Sequence, residues 1–418
     1  VTNDITPLSA LIRDHLIAHY RGMFREAGEG LPYPFIAPGS ELYADVLWDW
    51  DSWLSNVALR QIVAEAGDSL EDVRRYQRGC VLNFLHYGGI EGRIPIVLDR
   101  AGDVYRPDDI YRQNMHKPVL AQHAAFLTRE DGGDAEWLRE FFPRLLTFLG
   151  KYRHHHRHRC GLYFWETDSM IGGDDDPATY YRPPRSSGSI YLNCLMVKEL
   201  EAAAWLAERL NLDEIAADLR REQAHQRDAI QEHCWDERDG FYYSVDLNLR
   251  PAETTGLHAG APRAWDCLIQ RLGVWSGFLG LWAGLATPEQ AERIVTEHYR
   301  NPRTFHAAYG VRTLSRMEKM YTIRASGNPS CWLGPVWGVS NYLTFRGLVR
   351  YGFDDDARDL AEKTIRLFGR DLERFGALHE YYQPDNGEPV LNRGFQNWNY
   401  LVLNMIAWLD GRTTIVEF

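Results

Sequence analysis

The sequence predicts an all-α protein, a closed ring of helical hairpins with its long loops gathered at one mouth. Three observations predict it. Apolar residues recur at helical spacing from one end of the chain to the other. Strand-like runs are sparse and short, chiefly Gly240–Val245 and Gly310–Leu314. Long connections at 30–50, 88–116, 160–187, 301–334 and 374–394 are rich in Gly, Pro and aromatic residues, the composition of functional loops rather than of disorder. An open array of the same helices is the competing arrangement.

The first helix opens at Thr6-Pro7, a cap followed by a first-turn proline. Leu8, Leu11, Ile12, Leu16 and Ile17 then form an i, i+3, i+4 stripe. Further helices are read over 52–66, 69–87, 117–129, 135–153, 188–211, 213–233, 263–286, 288–299, 335–352, 355–373 and 395–410. The junctions Ala66-Gly67-Asp68 and Asn211-Leu212-Asp213 each stop one helix and start the next. One ring of this kind grows around one core, so residues 1–418 are read as one domain, with loops 88–116, 160–187 and 301–334 capping the mouth.

Composition narrows the function. The net charge of −12 argues against nucleic acid, which calls for a basic face. No apolar run reaches the roughly 18 residues of a membrane span, and the N-terminal stretch has no signal-peptide core, so a cytoplasmic location is expected. The six cysteines are scattered, make no C-x-x-C pair and read as reduced thiols. The His-rich run Tyr152–Arg159 reads as a helix end, because its interleaved arginines oppose a bound cation. No metal and no cofactor is expected. Aromatic residues make up 13% of the chain, which favours stacking on sugar rings only slightly, since they also fill cores.

Five segments carry candidate chemistry. Tyr43–Trp53 packs Trp48, Trp50, Asp51 and Trp53 at the mouth of a helix that Asp51 or Ser52 would cap. An acid beside indoles grips a sugar, the carboxylate taking hydroxyl hydrogens and the ring the C–H face. Trp165–Pro177 holds five carboxylates flanked by Tyr163, Phe164, Tyr180 and Tyr181. Three adjacent acids there repel, so at least one is expected to hold its proton, as a general acid must. Leu378–Pro389 sets Glu380 among aromatics before a turn, a place for a second acid, whereas Glu388 reads as solvated. Asn328–Gly338 offers Trp332 and Trp337 around a Gly334-Pro335 turn. Asn114–Gln122 offers His116 and Lys117.

Taken in order, the Trp-Asp-Trp-Asp run, the Gly172–Pro177 loop, Gly-Pro-Val-Trp and Glu-Tyr-Tyr-x-Pro resemble glycoside hydrolase family 63 and its trehalase-like relatives over residues 40 to 410. The resemblance implies an (α/α)6 barrel, inversion of configuration, and release of an α-linked glucose or mannose. It implies Asp174 as general acid, Glu380 as general base, and Trp50 and Asp51 as sugar binders. Where relatives carry Glu-Ser-Gly-x-Asp, this chain inserts Thr-Asp-Ser-Met-Ile after Glu166, so Asp168 and Asp175 compete with Asp174. The chain is also compact, like the bacterial branch that hydrolyses glucosylglycerate or mannosylglycerate.

The expected reaction is therefore exo-hydrolysis of a small α-glycoside. Tyr43, Trp48, Trp50, Asp51, Trp332, Gly334, Trp337, Arg324, Gln396 and Trp398 are the expected rim, and His116, Lys117, Arg182 or Arg185 would meet a substrate carboxylate. The expected partner is a small carbohydrate, with no nucleic acid or membrane, and the sequence is compatible with a homo-oligomer. Competing readings are a trehalase-like glucosidase, a sugar epimerase or isomerase using His as acid and base on the same barrel, and a sugar-binding protein without activity.

Overall fold

The computed structural model describes residues 4–40, 42–88, 91–100, 113–250, 255–324 and 329–418. Twelve α-helices occupy these residues: α1 (Thr6–His19), α2 (Asp49–Ala66), α3 (Leu70–Tyr87), α4 (Leu120–Glu130), α5 (Phe142–His155) and α6 (Ile190–Arg209) in the first half. The second half has α7 (Asp213–His233), α8 (Leu279–Trp282), α9 (Pro288–Arg293), α10 (Gly338–Arg350), α11 (Asp354–Phe375) and α12 (Val402–Leu409). Of the segments expected to cap the mouth, 160–187 is described in full. Residues 89–90 and 101–112 of the first, and 325–328 of the third, lie outside the described residues.

Burial sorts the helices into two kinds. Every residue of α2 from Asp49 to Val63 is buried, and α6 is buried along almost its whole length. Such helices have no solvent face and must sit inside others. By contrast α11 buries only a stripe, including Leu360, Ala361, Thr364, Ile365, Phe368 and Leu372. The buried helices touch in sequence: α2 meets α4, α4 meets α6, α6 meets α8, α8 meets α10, α10 meets α12, and α12 returns to α2. Outside them, α3 lies on α2 and α4, α7 on α6, α11 on α10 and α12, and α1 on α2 and α11.

Local chemistry sets the ends. Ser69 and Ser189 cap α3 and α6 through their hydroxyls, and Thr287 with Gln290 forms a capping box on α9. Gly67 and Gly376, both left-handed, end α2 and α11. At α2 the helix starts at Asp49, three residues before the expected start. The cap position is Trp48, so Asp51 and Ser52 lie inside the helix rather than capping it.

Four expected helices differ, and over 288–299 the α-helix gives way to a π-helix at Ile294–Tyr299. Over 263–286 only Trp275–Trp282 is helical; Leu268–Ile269 is instead an edge strand on Val245–Asp246, which pairs with Ser187–Gly188. Over 135–153 a short 3-10 turn at Glu136–Leu138 precedes α5, which Pro143 opens in its first turn. Over 395–410 the first turn, Asn397–Leu401, is 3-10. The expected strand pieces at 240–245 and 310–314 are present as Phe241–Tyr242, Val245–Asp246 and Gly310–Val311.

The segment 413–418 crosses the end of the inner helices. Gln61 of α2 donates to the Thr413 carbonyl and accepts from the Ile415 N–H. Arg129 of α4 donates to the Val416 carbonyl, and Asn404 of α12 to that of Ile415. The buried Glu417 carboxylate accepts from Trp282 of α8 and from Tyr342 and Arg346 of α10. Phe418 packs on Trp205 of α6. Among the described residues no helix is long and apolar enough to cross a membrane.

Candidate active site

Short antiparallel ladders at the helix starts bring distant segments to one place. Val46–Trp48, leading into α2, pairs with Val97–Asp99. Val336–Trp337, leading into α10, pairs with Tyr381–Tyr382, which pairs in turn with Pro389–Leu391. Trp337 thus lies opposite Tyr381, and Glu380 immediately precedes that strand with its N–H on the Leu391 carbonyl at 2.9 Å.

Between these ladders and the 165–177 loop lies a small cavity open to solvent. Five indoles line it, from Trp48, Trp50, Trp332, Trp337 and Trp398. Trp332 stacks on Trp337 at 4.0 Å and Trp337 on Tyr381 at 4.7 Å, so the wall is a rigid aromatic pile. Among these rings stand Asp51, Lys117, Asp174 and Glu380.

Of the five carboxylates in the acidic loop, Asp174 lines the cavity. Asp168 turns away to accept the Tyr181 N–H at 2.8 Å. Asp175 is buried and accepts the Trp332 N–H at 2.6 Å, tying the loop to the 330s. Asp176 accepts from Ala178 N–H and the Thr179 hydroxyl. Mutual repulsion predicts a raised proton affinity in this run. The structure has it at Asp175, about 7, and Asp176, about 6, and burial rather than repulsion is the main cause. Asn114 holds the front of the loop through four hydrogen bonds to Glu166, Thr167 and Ser169 backbone atoms. Gly172 lets the loop close down. Its φ of +97° is left-handed, and a Cβ there would sit 2.7 Å from Lys117 Cε, 2.9 Å from Tyr191 Oη and 3.2 Å from Trp50 Cζ2.

Glu380 is buried, and that burial raises its pKa to about 7, with the Asp174 charge adding to the effect. Two donors oppose it: Asn392 Nδ2 at 3.1 Å from Oε2, and the Tyr43 hydroxyl at 3.2 and 3.3 Å from the two oxygens. Tyr43 itself keeps its proton, because burial first and the Glu380 charge second push its pKa far up. Asp51 is pushed up to about 8, by burial first and Asp49 second, and accepts a hydrogen bond from Asn397 Nδ2. Lys117 Nζ pairs with Asp49 at 3.0 and 3.1 Å and lies 5.5 Å over the Trp50 ring.

Eight expected residues therefore meet with the two candidate acids: Tyr43, Trp48, Trp50, Asp51, Lys117, Trp332, Trp337 and Trp398. Four do not line the cavity. His116 is buried between Phe84 and Phe148, its Nδ1 on the Lys117 carbonyl, and burial lowers its pKa to about 4. Gln396 packs against Gly39 and donates to the His19 carbonyl. Arg324 is exposed. Gly334 is a backbone hinge whose φ of +146° brings it against Tyr321, its N–H on Thr313. Arg182 pairs with Asp246 and Arg185 with Glu166, away from the cavity. Sequence reasoning missed Met170 and Ser330 in the lining, and Asn392 and Asn397 behind the carboxylates. Asn392 and Asn397, single polar residues in left-handed conformation, leave no pattern to find.

Residues 44–399, the stretch that supplies nearly all of this cavity, match the family described as mannosylglycerate hydrolase MGH1-like glycoside hydrolase domain. The chain belongs to that family. Among its relatives, mannosylglycerate hydrolase MGH1 of Selaginella moellendorffii is 24% identical over 238 residues, 56% of this chain and 41% of that protein. Glucosylglycerate hydrolase of Mycolicibacterium hassiacum is 28% identical over 205 residues, 47% of this chain and 40% of that protein. The matched stretch thus spans about two fifths of the length of each of these relatives. The fold is shared with the GH63 mannosylglycerate hydrolase of Thermus thermophilus, solved in complex with glucose, at a TM-score of 0.69 and 22% identity, over 95% of this chain and 99% of that one.

Proposed function

We propose that this family member is an inverting, exo-acting α-glycosidase that hydrolyses a small α-glucoside or α-mannoside, with mannosylglycerate and glucosylglycerate as the leading substrates. The observation that carries the reading is the convergence of Asp174 and Glu380, from two distant segments, on one small indole-walled cavity. Asp174 protonates the glycosidic oxygen, and Glu380 activates a water on the opposite face of the sugar. The inner helices that touch in sequence and return to the first support an (α/α)6 barrel with this cavity at its mouth.

Each neighbour has a part in that chemistry. The Tyr43 and Asn392 donors lower the proton affinity of Glu380 and fix its plane, leaving Oε1 with lone pairs for the water. Asp51, buried and neutral at pH 7, both gives and takes hydrogen bonds from sugar hydroxyls. The stacked indoles take the apolar face of the ring. Among the described residues that line the cavity there is no histidine, which favours hydrolysis by carboxyl groups over isomerisation by imidazole.

The substrate class is tested by incubating the protein with mannosylglycerate, glucosylglycerate, trehalose and methyl α-glucoside and measuring free hexose. Release from one or both glycerate glycosides in preference to the others supports the reading. Equal release from every α-glucoside, or none from any substrate, contradicts it.

A further inference from the structure

Four of the six cysteines, 33 to 40 positions apart in the chain, lie outside the cavity lining. Cys160 follows α5, Cys194 is on α6, Cys234 ends α7, and Cys267 precedes the Leu268–Ile269 edge strand. All are free thiols. Cys194 and Cys234 are buried. Cys160 and Cys267 are half-buried, and their side chains lie near enough to interact. His158 Nδ1 lies 3.1 Å from the same sulfur. The residues just before each thiol are joined independently, Arg159 to Asp266 at 2.7 Å. A shallow pocket lined by Arg157, His158, Arg159 and Asp266 opens beside them.

We propose that Cys160 and Cys267 form a redox-active dithiol, closed to a disulfide by a hydroperoxide and reopened by a thiol reductant. The thiolate, not the thiol, attacks an oxidant. Cys160 is the attacking group, because His158 Nδ1 stands 3.1 Å from its sulfur, where an imidazole can take up the thiol proton. Its thiolate takes one peroxide oxygen to give a sulfenic acid and hydroxide. Cys267 sulfur then displaces that oxygen, forming the S–S bond, and its proton leaves with the oxygen as water. Overall two thiols and one hydrogen peroxide yield one disulfide and two waters. The four other cysteines are buried, and the structure leaves them out of the reaction.

The closed bond would tie the loop after α5 to the edge strand that, through Val245–Asp246, borders Ser187–Gly188 at the end of the acidic loop. Cross-links over so long a loop restrict the unfolded chain most. The site stands independently of the glycosidase reading.

The test treats the whole folded chain with hydrogen peroxide, blocks remaining thiols with iodoacetamide, and maps the digest. The expected product is a Cys160–Cys267 linked peptide, lighter by two hydrogens, which dithiothreitol reverses. With it goes a higher Tm than the reduced protein. In Cys267→Ser, oxidation should stop at a Cys160 sulfenic acid that dimedone captures. Full alkylation of both thiols after peroxide, linkage of Cys160 to Cys234, or absence of dimedone capture in Cys267→Ser would overturn the assignment.

Discussion

Two adjacent glycines in the acidic loop should behave in opposite ways when given a methyl group. Gly172 has φ +97° and no room: its Cβ would meet Lys117 Cε at 2.7 Å and Tyr191 Oη at 2.9 Å. Neither neighbour can move freely, since Lys117 is buried on Asp49 and Tyr191 is buried among aromatic rings. The left-handed backbone costs Ala about 1–2 kcal/mol, and overpacking adds about 1–3 kcal/mol. Gly173 is the control. Its φ is ordinary, and its Cβ would meet Asp176 Cβ and Trp332 Cδ2 at 4.0 Å, normal contact. Gly173→Ala is expected to be neutral, or to stabilise by about 0.4–1 kcal/mol through the unfolded chain. In Gly172→Ala the loop either stays and destabilises the fold by about 2–5 kcal/mol, or lifts and carries Asp174 with it. A displacement of about 1 Å lowers turnover roughly 100-fold. Tm and kcat/KM on the preferred glycoside, measured side by side for both variants, separate these routes. If Gly172→Ala and Gly173→Ala match each other in both measurements, the close seating of this loop on Trp50 and Lys117 is not what positions the acid.

Three further outcomes follow from the titrating groups. The kcat/KM profile should fall on the acid side around pH 7 as Glu380 takes up a proton, and Asn392→Ala, by removing a donor that lowers its pKa, should move that limb upward; an unmoved limb would disconnect Asn392 from the base. Asp51 has a folded pKa of about 8 against 3.8 for the free group, so its contribution to stability is full below about 3.8 and is lost as pH rises through 8. Asp51→Asn should therefore flatten the decline of Tm across that window, and parallel curves would refute the assignment. For Glu417, burial alone would raise the pKa, but Arg346 and the donors Tyr342 and Trp282 outweigh it and the result is lowered. Glu417→Gln leaves Arg346 unpaired and should lose about 3–5 kcal/mol at pH 7 by denaturant titration. The gap to the parent protein should narrow as pH falls from about 4.5 through the lowered folded pKa, because a lowered carboxylate stabilises fully only above its unfolded pKa.

The helices most open to reading from sequence were the outer ones. The stripe on α11 expresses one buried face and one wet face, which periodicity detects. Inner helices such as α2 bury every side, so their starts are not marked by a polar face, and α2 begins earlier than expected. At 263–274 apolar residues at helical spacing serve an edge strand instead, since pairing with Val245–Asp246 overrides local preference. In the cavity, clustered indoles and acids were legible because few other roles call for that composition. His116 and Gln396 were not, because neighbouring positions in the chain say nothing about side-chain direction: one turns into a phenylalanine cage and the other toward Gly39.

The proposed roles set Asp174 and Glu380 on opposite faces of an α-linked sugar, one as acid and the other as base. A proton NMR time course of glycoside hydrolysis, run on the parent protein, Glu380→Gln and Asp174→Asn, tests them most directly. The first signal to grow should be the β-anomer of the released hexose, converting later to the α form, and it should vanish in Glu380→Gln. Asp174→Asn should lose turnover chiefly on glycosides whose leaving group needs a proton, and less on activated aryl or fluoride glycosides. An α-anomer appearing first, or undiminished turnover in Glu380→Gln, would contradict the assignment.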